Sequence, residues 1–123
     1  VYTNILVGTD GSATARLAVD RAVDVAKSVG ATVTVLSVGR ADKAGKVVEA
    51  EAARLADSGV DLRTKTVDGD PASGLVQEVE DGNYDLLVVG NKGMTGASRF
   101  FLGSVPNKVS HHVPCALLIV RTT

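Results

Sequence analysis

Short apolar runs alternating with longer amphipathic stretches predict an α/β domain with a doubly wound, five-stranded parallel sheet. Two further observations support that class. Glycines and capping residues punctuate the changeovers between runs. The apolar residues are mostly Val, Leu, Ile and Ala, with only two Tyr, two Phe and no Trp. Such side chains suit helices packed on both faces of a buried parallel sheet.

Asn4 to Gly8 (NILVG) reads as the first strand, followed by the turn Thr9-Asp10-Gly11-Ser12. Ser12 is placed to cap a helix. From Ala13 to Val29 the polar residues Arg16, Asp20, Asp24 and Lys27 recur at helical spacing. Ala15, Ala18, Ala22, Ala26 and Val29 cover another face, and Gly30 is the stop. Thr32 to Val38 (TVTVLSV) is rich in β-branched residues and reads as the second strand. Gly39 to Gly45 reads as a charged, glycine-bounded loop. Lys46 to Ser58 reads as the second helix, with Val48, Ala52 and Leu55 inward and Gly59 as its stop.

Asp61 to Val67 alternates with polar residues, which predicts a third strand at a sheet edge. Asp70 and Pro71 supply a cap and a first-turn proline for a third helix running to about Asp81, with Ala72, Leu75, Val76 and Val79 facing in. Asp85 to Gly90 (DLLVVG) is continuously apolar after its first residue and is read as a central fourth strand. Asn91 to Gly103 reads as a loop, Ser104 or Val105 as the start of a fourth helix ending near His112, and Ala116 to Val120 (ALLIV) as the fifth strand.

Right-handed crossovers between these elements give the strand order 3-2-1-4-5, a flavodoxin- or Rossmann-like three-layer sandwich. At 123 residues, the whole of 1–123 is expected to be a single domain. The topological switch falls between the first and fourth strands, and ligands bind outside the carboxyl ends of strands at such a switch. The Thr9–Ser12 turn and the Gly90–Ser104 loop both leave from that crevice.

With 13 basic and 14 acidic residues, the net charge of −1 offers no long-range attraction to nucleic acid or to an anionic membrane. No apolar run approaches the ~18 residues of a membrane-spanning helix, and no signal sequence opens the chain, so a cytoplasmic protein is expected. The one cysteine, Cys115, sits beside Pro114 in an apolar run and reads as a buried structural thiol.

The loop after the fourth strand, Gly90-Asn91-Lys92-Gly93 through Gly103-Ser104, is the informative one. It runs to about thirteen residues where such connections usually take roughly 2–6. Its glycines let the backbone approach a ligand closely. Gly103 and Ser104 stand at a helix start, where free amides and the helix dipole favour a phosphate. Ser104 adds a hydroxyl, and Lys92 and Arg99 add charge. The alternative is a solvated glycine-rich loop with a capping serine. Asp10 suits an acceptor for donors on a base or a ribose, or an ordinary turn residue. Val38 and Gly39 offer apolar contact and backbone groups to a ring, or plain core.

Other signatures are absent. There is no GxxxxGK[ST], and no GxGxxG follows the first strand. His111 and His112 are adjacent on a helix and point in different directions, so they do not form a metal pair. Asp68 and Asp70 are better explained as a turn and a cap. No catalytic nucleophile, base and acid can be assembled, and no metal site.

The spacing Gly90-x2-Gly93-x9-Gly103-Ser104 matches the G-x2-G-x9-G-[ST] motif of the universal stress protein family, which this sequence resembles. The opening NILVGTDGS, the stretch GDPASGLVQEVEDGNYDLLVVGNKG and the tail GSVPNKVSHHVPCALLIVR add to the resemblance and span most of the chain. The resemblance implies an adenine nucleotide, either ATP, with a magnesium or manganese ion held by its phosphates, or cyclic AMP. It implies base and ribose contacts from Asp10 and Val38, and phosphate contacts from Gly90, Gly93, Gly103, Ser104 and the amide of Val105. The candidate ligand-contacting set is therefore Thr9, Asp10, Val38, Gly39, Gly90, Asn91, Lys92, Gly93, Gly103, Ser104 and Val105. The wording GNKG…LGSVPNKVS leans towards actinobacterial relatives, some of which bind cyclic AMP.

The Gly39–Gly45 connection is a departure, because relatives usually carry a longer segment there. The resemblance also implies a homodimer, and the apolar fifth strand Ala116 to Val120 at a sheet edge suits antiparallel pairing across a two-fold axis. The expected function is a nucleotide-binding regulatory stress-response protein and not an enzyme. A slow ATPase or phosphotransferase, and a dimeric interaction module with a vestigial pocket, are the alternatives. The scarcity of aromatics argues against a flavin site.

Overall fold

A computed structural model describes residues 1–91 and 114–121. The elements are β1 (Asn4–Gly8), α1 (Ala13–Val29), β2 (Thr32–Val38), α2 (Ala41–Arg54), β3 (Leu62–Val67), α3 (Pro71–Asp81), β4 (Leu86–Gly90) and β5 (Ala116–Val120). They form one five-stranded parallel sheet in the order β3-β2-β1-β4-β5, as the sequence predicts. The expected fourth helix, from Ser104 or Val105 to near His112, lies outside the described residues.

Strand alternation divides the core in two. On one face, Ile5, Val7, Val33, Val35 and Val88 pack under Ala18, Val19 and Ala22 of α1 and Val48 of α2. On the other, Leu6, Leu36, Leu87 and Val89 pack against Leu75 and Val79 of α3. Each fully buried Leu or Val contributes roughly 1.5–3 kcal/mol by leaving water. β3 lies at one edge, with mostly exposed side chains in its middle, which is why it alternates with polar residues.

The helix ends follow their sequence signals. The Ser12 hydroxyl accepts from the Ala15 amide at 3.2 Å, and Gly30 (φ 74°) closes α1 by donating to the Ala26 carbonyl at 2.7 Å. Asp70 caps α3 by accepting from the Ser73 amide at 3.0 Å. At the other end of α3, the Tyr84 hydroxyl donates to the Glu78 carboxylate at 2.8 Å. Lys65 of β3 binds that carboxylate's other oxygen, also at 2.8 Å.

The second helix departs from expectation. It begins at Ala41, ahead of the expected start at Lys46, and ends at Arg54, before Ser58. Most of the expected Gly39–Gly45 loop is therefore helix. Ala41, Asp42, Lys43 and Ala44 carry no helix-breaking group, and burial of Ala44 and Val48 against the sheet outweighs the cost of Gly45, about 1 kcal/mol. The inner stripe differs too. Ala52 is half-buried, and Glu51 takes the buried position at 2% exposure. Arg54 makes that burial possible. Its Nε and one terminal nitrogen donate to the two Glu51 oxygens at 2.6 and 3.0 Å, and its other terminal nitrogen reaches Asp20 of α1 at 2.7 Å.

Candidate functional site

The carboxyl ends of β1 and β2 open into a cavity of about 500 Å³, a size suited to a small organic ligand. One wall is the turn between β1 and α1, the floor is the end of β2, and the far wall is the first part of α2. Asp10, Val38 and Gly39, three of the residues expected to contact ligand, line it. Ser37, Arg40, Lys43, Ala44 and Val47 also line it.

The β1 turn is held by its own hydrogen bonds. The Thr9 amide donates to the Leu36 carbonyl at 2.9 Å, tying the turn to β2. The Thr9 hydroxyl accepts from the Gly11 amide at 3.0 Å, and Asp10 Oδ1 accepts from the Ser12 amide at 3.0 Å. Gly11 has φ 82°, a conformation that favours glycine, and a Cβ there would lie 3.1 Å from a Val47 methyl. Thr9 is buried and is not among the residues that line the cavity.

Val38 performs two tasks. It borders the cavity, and its methyls press on Gly74 of α3, where a Cβ would sit only 2.8 Å away. Gly39 donates its amide to the Val67 carbonyl at 2.8 Å, and the space beside its Cα is open. Gly90 and Asn91 end β4, next to β1 in the sheet. Gly90 is buried and pairs with Val120, and the Asn91 amide donates to the Val120 carbonyl at 2.9 Å. Lys92, Gly93, Gly103, Ser104 and Val105, like Arg99, His111 and His112, lie outside the described residues.

Sequence reading overlooked Ser37, Arg40, Lys43 and Val47. The signals were present: a serine interrupts an apolar strand, and basic residues recur every third position at 40, 43 and 46. Reading Gly39–Gly45 as a loop hid them. Among the described residues, no group of three or more His, Cys, Asp or Glu is arranged to hold a metal ion. Cys115 is partly buried against the α3 face, and burial pushes its thiol up, so it stays protonated near neutrality. No helix among the described residues is long and apolar enough to cross a membrane.

The sheet order and this cavity define a doubly wound α/β protein with a ligand cleft at the carboxyl ends of its strands. The sequence model of the universal stress protein family matches residues 2–52 and 39–121. The chain belongs to that family. It is 30% identical to the universal stress protein YxiE of Bacillus subtilis over 148 residues, covering 98% of this chain and all of YxiE. Among solved structures, a universal stress protein in complex with cAMP is 32% identical, with a TM-score of 0.80 and 99% of each chain covered. Protein Rv1636 of Mycobacterium tuberculosis is 35% identical, with a TM-score of 0.69, covering 100% of this chain and 98% of the other. The two matched ranges overlap over residues 39–52, and YxiE is longer than this chain.

Proposed function

We propose that this chain is an adenine-nucleotide-binding regulatory protein that holds ATP or cyclic AMP without efficient turnover. The observation that carries the reading is the cavity beside the topological switch, lined by Asp10, Val38 and Gly39. The 32% identical relative solved with cAMP supports the ligand class. In this reading Asp10 keeps one oxygen on the Ser12 amide and offers the other to a ribose hydroxyl or a base amino group. Val38 and Gly39 border the base, and Thr9 joins Asp10 in the same contact set. Gly90, Asn91, Lys92, Gly93, Gly103, Ser104 and the Val105 amide surround the phosphates, as their motif spacing suggests. An ATP would bring its magnesium or manganese ion on its own phosphates.

The test is calorimetric titration of nucleotide-stripped protein with cyclic AMP and, separately, with ATP plus magnesium. Binding of either that Gly103→Asp abolishes is the expected result. Failure of both ligands would leave the interaction-module reading. Hydrolysis of ATP well above the Gly103→Asp control would replace regulation with catalysis.

The same reading takes residues 1–123 as one domain and as half of a homodimer. β5 is an edge strand, and Ile119 on it is 45% exposed. Ile119→Lys should convert a sedimenting dimer to monomer. An unchanged sedimentation coefficient would locate the interface elsewhere.

A further inference from the structure

The cavity has a second chemical character that the nucleotide reading leaves unused. Its α2 wall carries the side chains of Arg40 and Lys43 at the start of a helix. α2 has Arg40 at its N-cap with no side-chain capping bond, and the first intrahelical bond joins the Ala44 amide to the Arg40 carbonyl. The amides of Ala41, Asp42 and Lys43 therefore carry no intrahelical bond, and they stand at the positive end of the helix dipole.

Ser37 supplies an independent observation. It is 3% exposed, yet its hydroxyl makes no hydrogen bond among the described residues. Strand parity puts it on the same face of β2 as Val33 and Val35, which is the face α2 covers. No fully enclosed side-chain nitrogen or oxygen among the described residues lacks a partner, so this hydroxyl opens onto the cavity it lines. A buried hydroxyl without a protein partner is a waiting donor.

Charge points the same way. Lys43 lines the cavity, and Lys43, Lys46 and Arg16 line its extension past Val47. None of these three forms an ion pair among the described residues. Arg40 holds Asp42 at 3.5 Å, with both side chains exposed, which partly neutralises the acidic residue of the first turn. The remaining carboxylate on the wall, Asp10, is turned towards the Ser12 amide. The cavity thus has an acidic side for hydroxyl or amino donors and a basic side facing it.

We infer that Ser37, Lys43, Arg40 and the first turn of α2 form a second anion subsite, which receives a phosphate carried on the ribose of the bound nucleotide. This rests on the nucleotide reading above. In that reading the base and ribose lie at Asp10 and Val38, in the same cavity that Ser37, Arg40 and Lys43 line from the side of α2. A basic group at the end of the second strand reads a ribose phosphate in other doubly wound folds. The ligand class is therefore a ribose-phosphorylated adenine nucleotide.

The experiment compares AMP, adenosine 2′,5′-bisphosphate and adenosine 3′,5′-bisphosphate by calorimetry, on wild type, on Ser37→Ala and on Arg40→Gln with Lys43→Gln. One bisphosphate should bind wild type about tenfold tighter than AMP or better, as charge-assisted hydrogen bonds require. That advantage should shrink in Ser37→Ala and vanish in the double variant, with a smaller loss of affinity for AMP than for the bisphosphate. No preference in wild type, a preference that survives the double variant, or a parallel loss of AMP affinity would each overturn the subsite.

An independent arm titrates inorganic phosphate and follows the amide resonances of residues 41–43. Shifts in wild type that disappear in the double variant support an anion site at these residues even if AMP fails to bind, in which case the nucleotide reading falls and takes the ribose phosphate with it. AMP binding with unmoved amides and no bisphosphate preference removes the subsite and leaves the nucleotide reading standing.

Discussion

Two strand-to-helix junctions face each other across the cavity, and they are built in opposite ways. The β1–α1 turn is self-satisfied: Thr9, Asp10 and Ser12 each accept a nearby amide, and Thr9 is pinned to β2. The β2–α2 junction leaves its helix start without a side-chain cap behind Arg40 and lines the cavity with the cations Arg40 and Lys43. The first arrangement fixes the position of a carboxylate. The second leaves donors that a ligand can satisfy. One site thus combines a fixed carboxylate acceptor with a set of donors, and the difference between the two junctions can be tested residue by residue.

The largest effect should come from loosening the far wall. Arg54 holds α2 to α1 through Glu51 and Asp20. Arg54→Ala strands the buried Glu51 carboxylate and should cost about 3 kcal/mol in urea unfolding. A loss under about 1 kcal/mol would mean that Glu51 reaches water without the arginine.

Next is the near wall. Gly11→Ala forces a side chain into a left-handed conformation and against Val47, and should cost about 2 kcal/mol. Adding Val47→Ala should relieve only the contact and leave the backbone strain. Ser12→Ala removes a helix cap and should cost about 1 kcal/mol.

Arg40→Ser should do the reverse. By supplying the missing cap it should stabilise the protein by about 0.5 kcal/mol, and it should weaken phosphate-induced shifts at residues 41–43. If Arg40→Ser destabilises the fold, the two junctions are not opposites in the way described.

Far from both junctions, burial and the hydrogen bond to Glu78 push the Tyr84 phenol up to about 12, from 10.0. The neutral phenol is the form the fold favours. Its contribution is therefore complete below pH ~10 and is lost as pH rises through ~12. Tyr84→Phe should flatten the alkaline limb of a stability–pH profile. An unchanged limb would assign alkaline unfolding to another group.

Much of this was legible in the sequence because local signals and burial agree. The apolar runs 4–8, 32–38 and 86–90 are strands, and Ser12, Gly30 and Asp70 stop or start helices where their chemistry predicts. Of the expected ligand contacts, Asp10, Val38 and Gly39 line the cavity. Legibility failed at α2 for a physical reason. Gly39 and Gly45 bracket a charged stretch that looks like a loop, but whether it coils is decided by Ala44 and Val48 packing on the sheet, which is a tertiary effect. Glu51 was missed on the buried face for a related reason: pattern reading assigns a carboxylate to solvent unless its arginine partner is known in advance. Losing α2's first turn to a presumed loop also concealed Lys43 and Ala44 on the cavity wall.

The most direct test of the central claim is a ¹⁵N-labelled titration with cyclic AMP, repeated with ATP plus magnesium, following the amides that border the cavity. The account predicts saturable shifts at Asp10, Gly11, Val38 and Gly39, with the β3 edge at Arg63 to Lys65 unmoved. Saturable binding that leaves those four amides in place and moves another surface would contradict it.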